Sequence, residues 1–303
     1  MKLIIEGNDK SGKTTLANAI VDRFGCTYFH FGKPTKYPAT EYAEAALKSP
    51  GNIVYDRFYL GELVYGPLLR GKVGITPLEL VIIERILRLK QAILIQTTTD
   101  VTLANKRLLV STQEEMVNQA QNVKAAKRFK KLLGKSNLQH VIQYDGSTRK
   151  NLNGVLDQLE VLKDVVEKDQ SVIKKVCTGI GTPVGPKLVF VGEAVNKNVT
   201  WLGLPFDKGF SSQFLFDSFK SAGVPEEKVY ICNADKVTSG EVEFLTCDKA
   251  TFVALGKKAD EKLKFLDVPH HSMPHPQYVK RFHWKEKEKY VEDFAAIVKK
   301  SDL

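Results

Sequence analysis

The chain has few cysteines and no pattern among them. Cys26, Cys177, Cys232 and Cys247 lie far apart with no C-x-x-C pair, which argues against a disulfide framework or a structural metal and predicts reduced thiols. Long apolar runs are also missing. Runs such as Leu3–Ile5, Ala92–Ile95 and Leu188–Val191 are strand-sized, far short of the roughly 20 residues a membrane span needs. No basic-plus-apolar leader precedes the first apolar run, so a cytoplasmic protein without a membrane partner is expected. No internal repeat period is visible.

What is present is an ordinary globular composition, 43% hydrophobic and 26% charged over 303 residues. That length exceeds the size at which single cores stop growing, so two domains are expected. The net charge of +10 is uneven: residues 1–168 carry 25 Lys/Arg against 17 Asp/Glu, and residues 169–303 carry 20 against 18. Much of the excess lies in Lys124, Lys127, Arg128, Lys130, Lys131 and Lys135, with no acid between them. Such a run suits a polyanionic partner, nucleotide or nucleic acid, or is a solvated helix face.

Apolar strands alternate with helical stretches in the first half, which predicts an α/β domain with a parallel sheet covered by helices. Strands are expected at 2–6, 27–31, 52–55, 92–97 and 140–144. Helices are expected near 14–24, 77–89, 102–109 and 114–133, and a last one at 150–168 repeats Leu and Val at helical spacing. Thr178-Gly-Ile-Gly-Thr-Pro-Val-Gly-Pro186 is too rich in Gly and Pro to be helical. A linker over 169–186 therefore separates a 1–168 domain from a smaller α/β domain at 187–303. There, strands are expected at 188–192, 229–233 and 251–255, and helices at 212–222, 257–266 and 285–300.

Gly7-Asn-Asp-Lys-Ser-Gly12-Lys13-Thr14 fits G-x-x-x-x-G-K-[ST], directly after a strand and opening a helix. Gly7, Asn8, Asp9, Lys10, Ser11, Gly12, Lys13, Thr14 and Thr15 are therefore the expected binding segment for ATP phosphates. Backbone N–H groups and the helix N-terminus would face the anion, Lys13 would reach the β and γ phosphates, and Thr14 would ligate Mg²⁺. Asp56-Arg57 ends a strand, where such sheets open into a ligand crevice. Asp56 suits Mg²⁺ or an acceptor group, and Arg57 suits a bidentate phosphate clamp. A buried ion pair at the strand end is the alternative.

The loop Gly7–Thr14, the Asp56-Arg57 pair and the basic region beyond the fourth strand resemble the thymidylate kinase family of P-loop kinases, over residues 1–168. The resemblance implies phosphoryl transfer from ATP with Mg²⁺ to a pyrimidine deoxynucleotide, a homodimer, and a basic lid. Arg107, Lys127 and Arg128 are the lid candidates, with Arg128 carried forward as catalytic. Phe31-Gly-Lys33-Pro34 falls where that family has an acceptor-contacting loop. Leu60-Gly-Glu62-Leu-Val-Tyr65-Gly66-Pro-Leu-Leu-Arg70-Gly71 resembles kinase-like proteins of phages and their relatives, with Glu62 and Tyr65 one turn apart on the same side. A base would stack on Tyr65 or Phe58, or both rings belong to the core.

In the second half, Gly192-Glu193-Ala194, Gly203-Leu-Pro205-Phe206, Val229–Asn233 and His275-Pro276-Gln277-Tyr278 occur in an order similar to the uracil-DNA glycosylase superfamily. The resemblance covers 187–298. It implies that Phe206 stacks on a flipped base, Asn233 reads its edge, Glu193 positions water or steadies the sugar cation, and His275 steadies the departing anion. Val195-Asn196 departs from that family's usual Pro-Gly. Three outcomes stay open: base excision in DNA, base binding alone, and a scaffold. Together the halves suggest a kinase of free pyrimidine deoxynucleotides or, as in some phages, of 5-hydroxymethyluracil within DNA.

Overall fold

The computed structural model describes residues 1–32, 36–111, 117–133, 136, 138–193, 204–206, 209–246 and 249–301. Lys33, Pro34, Lys135, Ala194, Val195, Asn196, Gly203 and Cys247, named in the sequence analysis, lie outside the described residues. The chain forms two compact units, Met1–Ile83 with Lys90–Gln170, and Glu84–Leu89 with Ser171–Leu303. Among the described residues no helix is long and apolar enough to cross a membrane.

The first unit contains β1 (Lys2–Glu6), α1 (Lys13–Phe24), β2 (Thr27–His30), α2 (Pro38–Lys48), β3 (Ile53–Asp56) and α3 (Tyr59–Tyr65). A π-helical turn at Gly66–Arg70 follows, then α4 (Pro77–Leu89), β4 (Ile93–Thr98), α5 (Val101–Leu109), α6 (Gln119–Leu133), β5 (His140–Asp145) and α7 (Arg149–Val176), with Glu84–Leu89 of α4 and Ser171–Val176 of α7 belonging to the second unit. All five strands are parallel, in the order β2-β3-β1-β4-β5. Strands β1, β3 and β4 read as unbroken apolar runs because helices cover both faces of the sheet. Leu3, Ile5, Val54, Ile93 and Ile95 pack on Leu16, Ile20 and Leu159, all buried. The chain leaves β1 toward one sheet edge and β4 toward the other, so their carboxyl ends open a crevice.

The second unit comprises β6 (Ile180–Gly181), β7 (Leu188–Gly192), α8 (Phe210–Ser221), β8 (Val229–Asn233), α9 (Ser239–Thr246) and β9 (Thr251–Leu255), then α10 (Lys257–Phe265), β10 (His270–Met273), α11 (Pro276–Phe282) and α12 (Lys287–Lys300). Its sheet order is β10-β9-β7-β8-β6, parallel except for β6 against β8. Here too the chain leaves β7 and β9 toward opposite edges.

Much of the expected linker is ordered. Residues 169–176 continue α7, and Ile180–Gly181 pair with β8. Gly179 and Gly181 allow that pairing: a Cβ at Gly179 would lie 2.1 Å from the Ile231 carbonyl oxygen, and one at Gly181 2.3 Å from that of Val229. Buried Glu241 anchors the strand's entry. Its Oε1 accepts the Thr178 N–H at 2.7 Å and the Tyr230 hydroxyl at 2.6 Å, and its Oε2 accepts the Thr178 hydroxyl at 2.7 Å.

Candidate functional site

Gly7 follows β1 and touches the end of β4. A Cβ there would lie 2.1 Å from Thr97 Oγ1 and 2.4 Å from the Thr97 carbonyl oxygen, so only glycine admits this approach. The loop is tied to β4 again through Ser11 Oγ and Thr97 Oγ1, 2.6 Å apart. Gly12 caps α1 in a left-handed conformation, φ 95°, and supplies no side chain to the first-turn N–H groups. Those donors and the helix dipole are left to an anion.

Lys13 is buried, its ammonium fixed by the Gly7 and Asn8 carbonyls at 2.9 and 2.7 Å. Burial lowers its pKa, as does the Arg57 charge, against the opposing charges of Asp9, Asp56 and Glu6. Thr14 donates to Asp56 Oδ2 at 2.9 Å. Tyr28, on the edge strand β2, donates to the same oxygen at 3.0 Å, with His30 Nδ1 at 3.7 Å. Burial pushes the Asp56 carboxyl up, but the nearby His30 ring, the Lys13 charge and the Thr14 and Tyr28 hydrogen bonds outweigh it and hold the group below the usual range.

Arg57 sits at the strand exit with φ 68°, a left-handed conformation that costs a non-glycine residue energy and clusters at functional sites. Its Nη2 donates to Asp9 Oδ1 at 2.9 Å, and the Tyr65 hydroxyl meets that oxygen at 3.2 Å. The guanidinium lies 5.9 Å from the centre of the Tyr65 ring.

Lys13, Thr14, Thr15, Asp9, Lys10 and Arg57 line one cavity of about 790 Å³, together with Arg107, Tyr144, Gly146 and Arg149. Gly146 is a second close approach, since a Cβ there would lie 2.2 Å from the Ser11 carbonyl oxygen. Arg107 bridges the two turns, donating to the Lys10 carbonyl at 3.2 Å and the Gly146 carbonyl at 3.1 Å. Of the three expected lid cations, it is the one on this cavity. Arg128 instead donates to the Val64 carbonyl at 3.2 Å, while Lys127 is exposed on α6.

Four further roles emerge beside the motif. Asn122 on α6 is fully buried, accepts from Asn8 Nδ2 at 3.2 Å and donates to the Asp9 carbonyl at 3.3 Å. Glu6 Oε1 accepts the N–H groups of Phe58, Leu60 and Gly61 at 2.9 to 3.1 Å, capping the start of α3. Glu62 is held by Arg70, whose Nη2 donates to its two oxygens at 2.6 and 2.5 Å, and by the Gly74 N–H at 2.9 Å. Phe58 belongs to the core, packed among Phe31, Tyr42 and Tyr55.

In the second unit the four expected base-binding residues meet at the ends of β7 and β8. A Cβ on Gly192 would collide with both Phe206 Cε2 at 2.5 Å and Asn233 Oδ1 at 2.8 Å. Phe206 has φ 50° and stacks on His275, with ring centres 5.7 Å apart. Asn233 is buried, and its Nδ2 has no hydrogen-bond partner among the described residues. Glu193 and His275 line a cavity of about 830 Å³. Glu193 Oε1 lies 3.5 Å from the Lys258 N–H, at the start of α10, and over Gly256, where a Cβ would come within 2.6 Å. His275 caps α11 by accepting the Gln277 N–H on Nδ1 at 3.2 Å, which puts the proton of the neutral ring on Nε2. Burial lowers its pKa against the nearby Glu193 charge and favours that neutral ring.

No family model matches the chain, and no curated protein matches it in sequence. Among solved structures it is similar to the YorR protein of Bacillus subtilis in complex with phosphorylated GDP, at 19% identity and a TM-score of 0.46, over 54% of this chain and 98% of that one. It is also similar to deoxyadenosine kinase of M. mycoides with the products dCMP and dCDP, at 13% identity and a TM-score of 0.38, over 54% of this chain and 100% of that one. With dCTP bound, that enzyme matches at 17% identity and a TM-score of 0.36, over 53% and 100%.

Proposed function

We propose that the first unit transfers the γ-phosphoryl group of ATP to a pyrimidine deoxynucleotide acceptor of the dTMP type. The observation that carries the reading is the convergence of Lys13, Thr14 and Arg57 on one cavity at the carboxyl ends of a parallel sheet. Lys13 and the first turn of α1 supply positive charge to the transferred group, and Arg57, held by Asp9, orients the acceptor. Arg107 adds charge at the loop's far side.

The residues also fit Mg²⁺. Thr14 and Asp56 bring hard oxygen donors together, and the second Asp56 oxygen, Oδ1, is buried with no partner among the described residues. Bound there, the ion would neutralise phosphate charge. Thr14 and Asp56 would hold it, and Tyr28 would keep the carboxylate oriented.

Labelled ATP offered with dTMP, dUMP, hydroxymethyl-dUMP, dAMP, dGMP and hydroxymethyluracil-containing DNA tests the acceptor. Label in a pyrimidine deoxynucleotide, free or within DNA, is expected. Label only in purine nucleotides would overturn the pyrimidine assignment.

For the second unit we propose recognition of a pyrimidine base by Phe206, Asn233, Glu193 and His275. The buried Asn233 Nδ2, without a partner among the described residues and next to the Phe206 ring, favours it, since such a group is costly unless a ligand satisfies it. Incubation with uracil-containing single-stranded DNA separates excision from binding. Abasic sites would make the unit a glycosylase, and retention of uracil DNA without cleavage would make it a reader.

A further inference from the structure

The cations of α6 are not used by the site it borders. Lys124, Lys127, Arg128, Lys130 and Lys131 are all exposed, and the helix holds no acidic residue. Successive residues turn by about 100°, so the five side chains fall within an arc of about 160°. The opposite arc carries Asn122, Ala125 and Phe129, all buried. That buried side fastens the helix to the phosphate loop through Asn8 and Asp9, and to α3 through the Phe129 and Tyr65 rings, 5.7 Å apart.

None of the five lines the cavity over the phosphate loop, which draws its positive charge from Lys10, Lys13, Arg57, Arg107 and Arg149. Among the described residues, none of the five is ion-paired; Arg128 donates to the Val64 carbonyl. A helix that concentrates five like charges on its outer face, with no carboxylate of its own and no ion pair among the described residues, holds a field beside the site.

We propose that the outer face of α6 is a docking track for the phosphate backbone of a polynucleotide. From Lys124 to Lys131 the helix rises about 10 Å, a length over which one strand of duplex DNA presents about three phosphates. An acidic membrane surface would be a poorer occupant, because membrane-lying helices need a free apolar face and the apolar face of α6 is already buried. The track does not depend on which acceptor the first unit phosphorylates, or on whether it phosphorylates one at all.

The test uses the full chain and a variant carrying Lys124→Gln, Lys130→Gln and Lys131→Gln, which leaves every cavity-lining residue in place. Binding of a fluorescein-labelled oligothymidylate is followed by anisotropy through a salt series, with ATP affinity measured alongside. The wild-type protein binds the oligonucleotide, and the slope of log affinity against log salt falls in magnitude by about 2 in the variant, three contacts at about 0.7 each for a single strand. ATP affinity is unchanged, which shows that the variant is folded. Equal oligonucleotide affinity and slope in both proteins would overturn the proposal. So would a wild-type protein that binds phosphatidylserine vesicles or polyglutamate but not the oligonucleotide.

Discussion

Tyr28 and Asp56 are joined at the edge of the first sheet: the phenol hydroxyl donates to Asp56 Oδ2 at 3.0 Å, the oxygen that also accepts the Thr14 hydroxyl. Tyr28 is 38% exposed, so solvent weakens the bond, and its loss should cost about 1 kcal/mol. Tyr28→Phe is predicted to lower kcat about fivefold while leaving the KM for ATP unchanged. Steady-state kinetics at saturating Mg²⁺ checks it, and an unaltered kcat would remove Tyr28 from the positioning of Asp56.

Gly7→Ala places a methyl group 2.1 Å from Thr97 Oγ1 and 2.4 Å from backbone. Neither neighbour is the free end of a flexible chain, so the loop must shift. A loss of at least about 2 kcal/mol in stability is predicted, together with loss of ATP binding. Thermal melting and nucleotide titration read the two effects, and a variant that melts and binds like wild type would refute the close approach.

Burial pushes the Glu6 carboxyl from its ordinary 4.5 up to about 7, against the lowering effect of the Gly61, Phe58 and Leu60 N–H groups and the Lys13 charge. With its folded pKa raised, Glu6 contributes stability that is present below the unfolded value and lost as pH rises through about 7. Glu6→Gln cannot titrate. The stability of wild type relative to Glu6→Gln is therefore predicted to fall between pH 4.5 and about 7, by at most about 3 kcal/mol. Parallel melting curves across that range would contradict it.

Asn233→Leu removes a buried amide whose Nδ2 has no partner among the described residues and replaces it with an apolar group of similar size. Such a change should be close to neutral for stability, yet it should abolish retention of uracil-containing DNA by the second unit. Melting and a DNA-retention assay separate the two roles. A destabilised variant that still retains the DNA would make Asn233 a structural residue.

Much of this arrangement was legible in the sequence where physics is local. β1, β3, β4, β7, β8 and β9 are apolar runs because both faces of each sheet are covered, and the loop proposed to bind phosphate is marked by Gly7, Gly12, Lys13 and Thr14 at fixed spacing. α2 was missed although Pro38 at its first turn and the spacing of Ala39, Tyr42, Ala43 and Ala46 were available signals. β10, His-His-Ser-Met, carries no strand pattern and is held by pairing with β9. The charge run from Lys124 identified cations but not their facing. Arg107 reaches the cavity, whereas Arg128 holds an α3 carbonyl, a distinction set by how α5 and α6 pack. Tyr28, Asn122 and Gly146 reach the site from distant parts of the chain, where no local pattern marks them.

Phosphoryl transfer by Lys13→Ala is the most direct test. The variant removes the ammonium held by the Gly7 and Asn8 carbonyls and leaves the sheet and α1 intact. With labelled ATP and a pyrimidine deoxynucleotide acceptor, transfer is predicted to fall at least about a hundredfold in a protein whose melting profile matches wild type. A folded Lys13→Ala protein that transfers label at the wild-type rate would contradict the account.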